Sequence, residues 1–246
     1  MAAAVGWGAL AASSLVLGAA LGLLRRWPPR WVGVVLAFGA GALISAVSFE
    51  LAEEGIRVGG PGSVGIGLAL GALTYFFASR RLDRGRSGRD RRAPSRPGGG
   101  AAASSGTALA LGATLDGIPE QLVLGIGLAS GEGISASLLL AIFISNLPES
   151  IGSASEMHEA GRDSRWIIRL WVVVAVVVTI ATVAGYALAD VTGDVFTAGI
   201  DGFAAGALLV MLIDTMIPEA AKDAGRVAGL VSVLGFALAA GLSNLS

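Results

Sequence analysis

Two stretches decide the fold: Asp116-Gly117-Ile118-Pro119-Glu120 and Ser145-Asn146-Leu147-Pro148-Glu149. They lie 29 residues apart, and each sits in the middle of an apolar run. Proline inside a helix removes a backbone hydrogen bond and clashes with the preceding turn. A carboxylate at bilayer depth costs roughly 2.5–3.5 kcal/mol even on the lenient insertion scale. A chain that accepts both penalties twice needs a functional reason, and handling an ion or polar solute inside a membrane supplies one.

Composition agrees with a membrane setting. Of 246 residues, 54% are hydrophobic and 14% charged, well below the roughly 25% charge of a soluble domain. Several apolar runs reach the ~20 residues that cross a bilayer, so a polytopic, all-α membrane protein is expected. With no cysteine and one histidine, thiolate and His-rich metal sites are excluded. The segment 1–7 lacks a basic leader and reads as the start of a span, not as a cleaved signal.

Eight spans are expected, at about 2–24, 32–54, 60–79, 106–129, 133–157, 166–189, 197–219 and 225–244. Basic residues then test the count. Arg25, Arg26 and Arg30 follow span 1, and Arg80 to Arg96 follow span 3. Arg162, Arg165 and Arg169 follow span 5, while Lys222 and Arg226 follow span 7. All fall on one side, which the positive-inside rule makes cytoplasmic, and only Arg57 does not. Both termini are then extracytoplasmic. The predicted organisation is helices 1–3 over 1–79, a disordered Arg-rich loop over 80–105, the helix pair 4–5 over 106–157 and helices 6–8 over 158–246. The basic loop reads as a topology determinant beside anionic lipid, and no nucleic-acid partner is expected.

An internal repeat appears between Phe38-Gly39-Ala40-Gly41-Ala42-Leu43-Ile44 and Phe203-Ala204-Ala205-Gly206-Ala207-Leu208-Leu209. In the expected topology these segments run in opposite directions, as do spans 4 and 5. Inverted repeats with Pro-broken helices at the middle are the signature of a secondary transporter. Small-residue patterns recur in any packed membrane helix, but the match here covers most of seven positions.

Residues four apart share a helix face. Asp116 and Glu120 therefore point together, as do Ser145 and Glu149, and Asn146 adds an amide oxygen. Gln121 and Ser155 are further oxygen donors if they face inward. Three crowded carboxylates repel unless a cation or protons neutralise them. The plain alternative is that the acids are protonated and bond between helices.

At these residues the chain resembles the ZIP family of divalent-metal transporters. There the fourth and fifth of eight helices carry His-Asn-x-Pro-Glu-Gly and His-x-x-Pro-Glu-Gly. The resemblance implies metal ligation by Asp116, Glu120 and Glu149, with Ser145 and Asn146 beside them. It further implies a role for Asp214 on the exit path. The departures are Asp116 and Ser145 for histidine, Gly117 for asparagine, and Gln121 and Ser150 for glycine. Some members add a glutamate from the sixth helix, where this chain has only Thr179 and Thr182, so a second metal is not expected.

The implied function is inward carriage of divalent metal by alternating access, without enzymatic reaction and without a fixed cofactor. One bundle, spans 1–3 with 6–8 or a subset, would rock against the metal-holding pair. Zinc is the family's ion. The oxygen-rich donor set would suit Mn or Fe(II) as well. The remaining expected partners are the lipid bilayer of a cell (inner or plasma) membrane and, as the resemblance allows, a second copy in a homodimer. Two rival readings are a proton-linked carrier of another solute using Glu120, Glu149 and Asp214, and a metal-binding sensor that no longer transports. An intramembrane metallohydrolase would need histidine ligands, and His158 lies at a helix end. Glu219 is a secondary candidate near the inner boundary, while Glu50, Glu53, Glu54, Glu132, Asp190, Asp194 and Asp201 lie at or near the outer face. There they either draw cations towards an entrance or are ordinary solvated loop ends, Glu50 being the deepest.

Overall fold

The first span begins at once: α1 runs Ala2–Leu24. Helix α2 (Pro29–Ala46) starts with proline in its first turn, where the missing N–H costs no bond. A π-helical turn, Val47–Glu53, carries it into α3 (Glu54–Asp90). The rest are α4 (Gly100–Ala129), α5 (Ala136–Glu159), α6 (Ser164–Val191) and α7 (Asp194–Met211). A second π-helical turn (Leu212–Met216), α8 (Ile217–Ala224) and α9 (Val227–Ser243) complete the chain. This computed structural model describes residues 1–90, 100–129, 135–191 and 193–243, and among them there is no strand.

Among the described residues, five stretches are long and apolar enough to cross a bilayer: Ala2–Leu24, Pro29–Arg81, Ala136–Glu159, Ser164–Ala189 and Asp194–Ala224. The second is 53 residues long, more than twice the ~20 that one crossing needs. Gly60, at φ 82° and followed by Pro61, interrupts it and divides it into two rods. Only glycine enters that backbone region freely. The expected gap at 55–59 is therefore helix, and the break falls one residue later.

A larger difference concerns the stretch expected as a disordered loop over 80–105. Helix α3 extends to Asp90 and α4 is already formed at Gly100; the remainder, 91–99, lies outside the described residues. Arginine is a good helix former, and extending a helix that a packed bundle has already nucleated fixes one residue per bond gained.

Helix packing sorts the elements into two groups. Helices α1, α4, α5 and α6 pack on one another, chiefly α1 on α5 and α4 on α6. Their core holds Leu15, Met157, Ile167, Trp171 and Val178. The second group joins α2 to α9 and α3 to α7, and α2 also packs on α5 as extensively as α4 does. Leu43, Leu51, Leu208, Met211 and Met216 share one core with Leu124 of α4 and Ile142 of α5. Spans 1 and 6 thus belong with the Pro-Glu pair, so the body opposite that pair comprises only α2, α3 and α7–α9. Large apolar side chains such as Leu230, Ile66 and Val173 are turned outward. The interior is rich in alanine and glycine, as expected where backbones rather than bulky side chains must meet.

The contacts themselves repeat. A Cβ on Gly41 would overlap the Ser232 carbonyl of α9, and one on Gly206 the Leu68 carbonyl of α3. The Phe38 carbonyl faces Gly235 just as the Phe203 carbonyl faces Gly71. Positions 38 and 203, 41 and 206, and the first residues of the two π-helical turns, 47 and 212, are all 165 apart. In the other group Gly22 meets the Ile151 carbonyl and Gly185 the Leu122 carbonyl, and 122 and 151 are again 29 apart.

Candidate metal site

Pro119 and Pro148 lie inside α4 and α5, and both helices continue through them. Each proline leaves the carbonyl one turn earlier without its helical N–H partner, and polar side chains gather around these turns. Glu120 and Asp116 of α4 are buried, as are Ser145 and Asn146 of α5. The Ser145 hydroxyl lies 3.3 Å from Glu120 Oε1 and 3.0 Å from the Ile142 carbonyl. Gly39 of α2 makes room for this turn, since a Cβ there would stand 3.0 Å from Ser145 Cα. The site therefore lies where the two groups of helices touch.

The carboxylates act on one another across this space: Asp116 on Glu120, and both on Glu149. None forms an ion pair with a Lys or Arg among the described residues. Four side-chain atoms here are shut off from solvent without any hydrogen-bond partner: Glu120 Oε2, Gln121 Nε2, Asn146 Nδ2 and Glu149 Oε2. Native interiors pair nearly all their buried polar atoms. Two of the four, Glu120 Oε2 and Glu149 Oε2, are carboxylate oxygens beside neighbouring proline turns and are free to accept; Glu50 Oε2 and Trp171 Nε1 are likewise without partners elsewhere. Among the described residues, however, no three acidic or His side chains converge closely enough to hold an ion by themselves. Ligation here would draw on the neutral hydroxyl and amide oxygens as well.

The remaining sequence candidates are dispersed. Asp214 sits on the second π-helical turn and is exposed, and it is not among the charges acting on Asp116, Glu120 or Glu149. Glu219, rated secondary from sequence, does act on both Asp116 and Glu149. Gln121 points into the α4–α6 contact, where the Thr182 hydroxyl donates to its Oε1. His158 is exposed at the end of α5. Glu50 lies on the first π-helical turn and accepts a hydrogen bond from Ser137, away from the proline turns.

One residue escaped the sequence reading. Tyr75 of α3 is buried and donates its phenolic hydrogen to Asp116 Oδ1. The available signal was a tyrosine, one of only two in the chain, placed in an apolar span where its hydroxyl must find a partner.

The family model described as ZIP Zinc transporter matches residues 90–243, the part that holds both proline turns. A curated protein of Arabidopsis thaliana, named "Putative zinc transporter", is 28% identical over 216 residues. The alignment covers 87% of this chain and 34% of that protein, so the chain spans about a third of its relative's length. With the family model covering well over half of its residues, this chain belongs to the ZIP zinc transporter family.

Proposed function

We propose that the protein carries divalent transition-metal ions from outside the cell into the cytoplasm, binding the ion between α4 and α5. Glu120 and Glu149 supply its main charge, Asp116 a third carboxylate, and Ser145 and Asn146 neutral oxygens. The observation that carries this reading is the pair of buried carboxylate oxygens without a hydrogen-bond partner, Glu120 Oε2 and Glu149 Oε2, one beside each proline turn. Leaving such atoms unsatisfied costs about 1–3 kcal/mol each, and an incoming cation would offset that cost. Asp214 and Glu219 lie towards the cytoplasmic end of the path in the proposed topology, as exit-side acids.

Eight spans with both termini outside follow if Pro29–Arg81 crosses twice and α4 and α9 each cross once. The repeated contacts at 38 and 203 and at 41 and 206 then relate halves of opposite topology. In the alternating-access scheme α1, α4, α5 and α6 move as one body against α2, α3 and α7–α9. An inside-negative membrane contributes roughly 2.3 kcal/mol per charge per 100 mV to cation entry.

Oxygen donors replace the family's histidines, so zinc need not dominate: manganese and iron(II) are accepted by the same ligands. Uptake into proteoliposomes, with zinc, manganese and iron(II) at equal free concentration, tests the proposal. Uptake should be lost in Glu149→Ala and Glu120→Ala. If the wild type binds metal tightly but moves none across a correctly oriented membrane, the sensor reading replaces the carrier. Overwhelming preference for zinc over manganese would remove the proposed shift in selectivity while leaving the carrier intact.

A further inference from the structure

Asp116 is the candidate ligand engaged from outside its own group of helices. Its Oδ1 accepts the Tyr75 hydrogen bond, with both residues buried. Tyr75 belongs to α3, which packs on α7 and barely meets α4. This hydrogen bond therefore joins one group of helices to the other.

We propose that Tyr75 stands in for the ion when the carrier is empty: its hydroxyl satisfies Asp116 and holds the α4–α5 body against α3, until an arriving divalent cation displaces it. The inference rests on reading Asp116 as a metal ligand. A buried carboxylate left without a partner is far costlier than one that accepts a hydrogen bond, so the empty site needs a donor that the loaded site does not. A neutral phenol meets that need and yields to a cation, whose attraction to the carboxylate is stronger. A Lys or Arg in its place would pair with Asp116 permanently and compete with the cargo as a charge. An ion that binds better to the released arrangement shifts the population towards it by its differential affinity, which couples loading to separation of the two bodies at this contact.

The test is zinc affinity of the purified full chain, measured by competition with a fluorescent chelator, in a double-mutant cycle. Tyr75→Phe keeps the ring and removes the hydroxyl. It should bind zinc about tenfold tighter or better, because a hydrogen bond to a charged group no longer has to be broken. In an Asp116→Asn background, the same substitution should change nothing. Tyr75→Met, which keeps a bulky apolar side chain but offers Asp116 no donor, should tighten binding in the same direction, and it remains informative if Tyr75→Phe misfolds. Unchanged or weaker zinc binding in Tyr75→Phe, with Asp116→Asn weakened, overturns the stand-in role alone. Wild-type affinity in Asp116→Asn overturns the ligand reading of Asp116 and the stand-in role together.

Discussion

At the scale of single residues, the unusual feature is a set of polar atoms that the protein leaves unpaired. Asn146 is 1% exposed and its Nδ2 has no partner. A half-turn of the amide exchanges nitrogen for oxygen, so the same side chain can offer an oxygen to a cation. This separates stability from function. Replacing a buried, unsatisfied polar group by an apolar one of similar shape is nearly neutral or stabilising. Asn146→Leu should therefore leave the metal-free melting temperature in detergent unchanged or higher, while metal affinity falls. A large loss of stability with affinity intact would mean that the amide is a structural group. Asp116, Glu120, Ser145 and Glu149 were legible from the sequence because fourfold spacing and the prolines place them together on any helix. Tyr75 was not, because its partner lies 41 positions away and no local spacing joins them.

At the scale of elements, glycines decide how closely the helices approach. Gly41 against the Ser232 carbonyl and Gly206 against the Leu68 carbonyl are equivalent contacts with backbone, which cannot swing aside. Alanine at either position forces the helices apart, and overpacking of this kind costs about 1–3 kcal/mol. Gly41→Ala and Gly206→Ala should each lower the melting temperature in detergent by similar amounts. Gly65→Ala is the control: nothing lies within 4 Å of its added Cβ, and alanine is the better helix former, so stability should hold or rise slightly. Equal tolerance at all three positions would contradict the close contacts. The repeat in sequence pointed to helices α2 and α7 together, but not to their partners α9 and α3. Nor did it foresee the two π-helical turns, because a one-residue widening leaves no mark in hydrophobic spacing.

At the scale of the whole molecule, orientation can be read residue by residue. The chain has no native cysteine, so single cysteines report position without background. Gly62, Gly193 and Arg162 are all exposed. In the proposed topology, Gly62→Cys and Gly193→Cys should react with a membrane-impermeant maleimide applied outside intact cells. Arg26→Cys and Arg162→Cys should react only after permeabilisation. Labelling of Gly62→Cys and Arg162→Cys from the same side would break the eight-span arrangement. The same variants, reconstituted, would also orient the uptake experiment.

Local chemistry by itself determined that this is a multi-pass helical membrane protein with acids on two proline-containing helices. Apolar length, fourfold spacing and the penalties of buried charge and helical proline act within one element, and a sequence displays them directly. Tertiary structure alone decided that α1 and α6 side with the proline pair, that Glu219 rather than Asp214 acts on the site acids, and that Tyr75 holds Asp116. These facts depend on which helix faces meet. In a membrane, faces of alanine and glycine look alike along the chain and are told apart only by the backbone that closes against them.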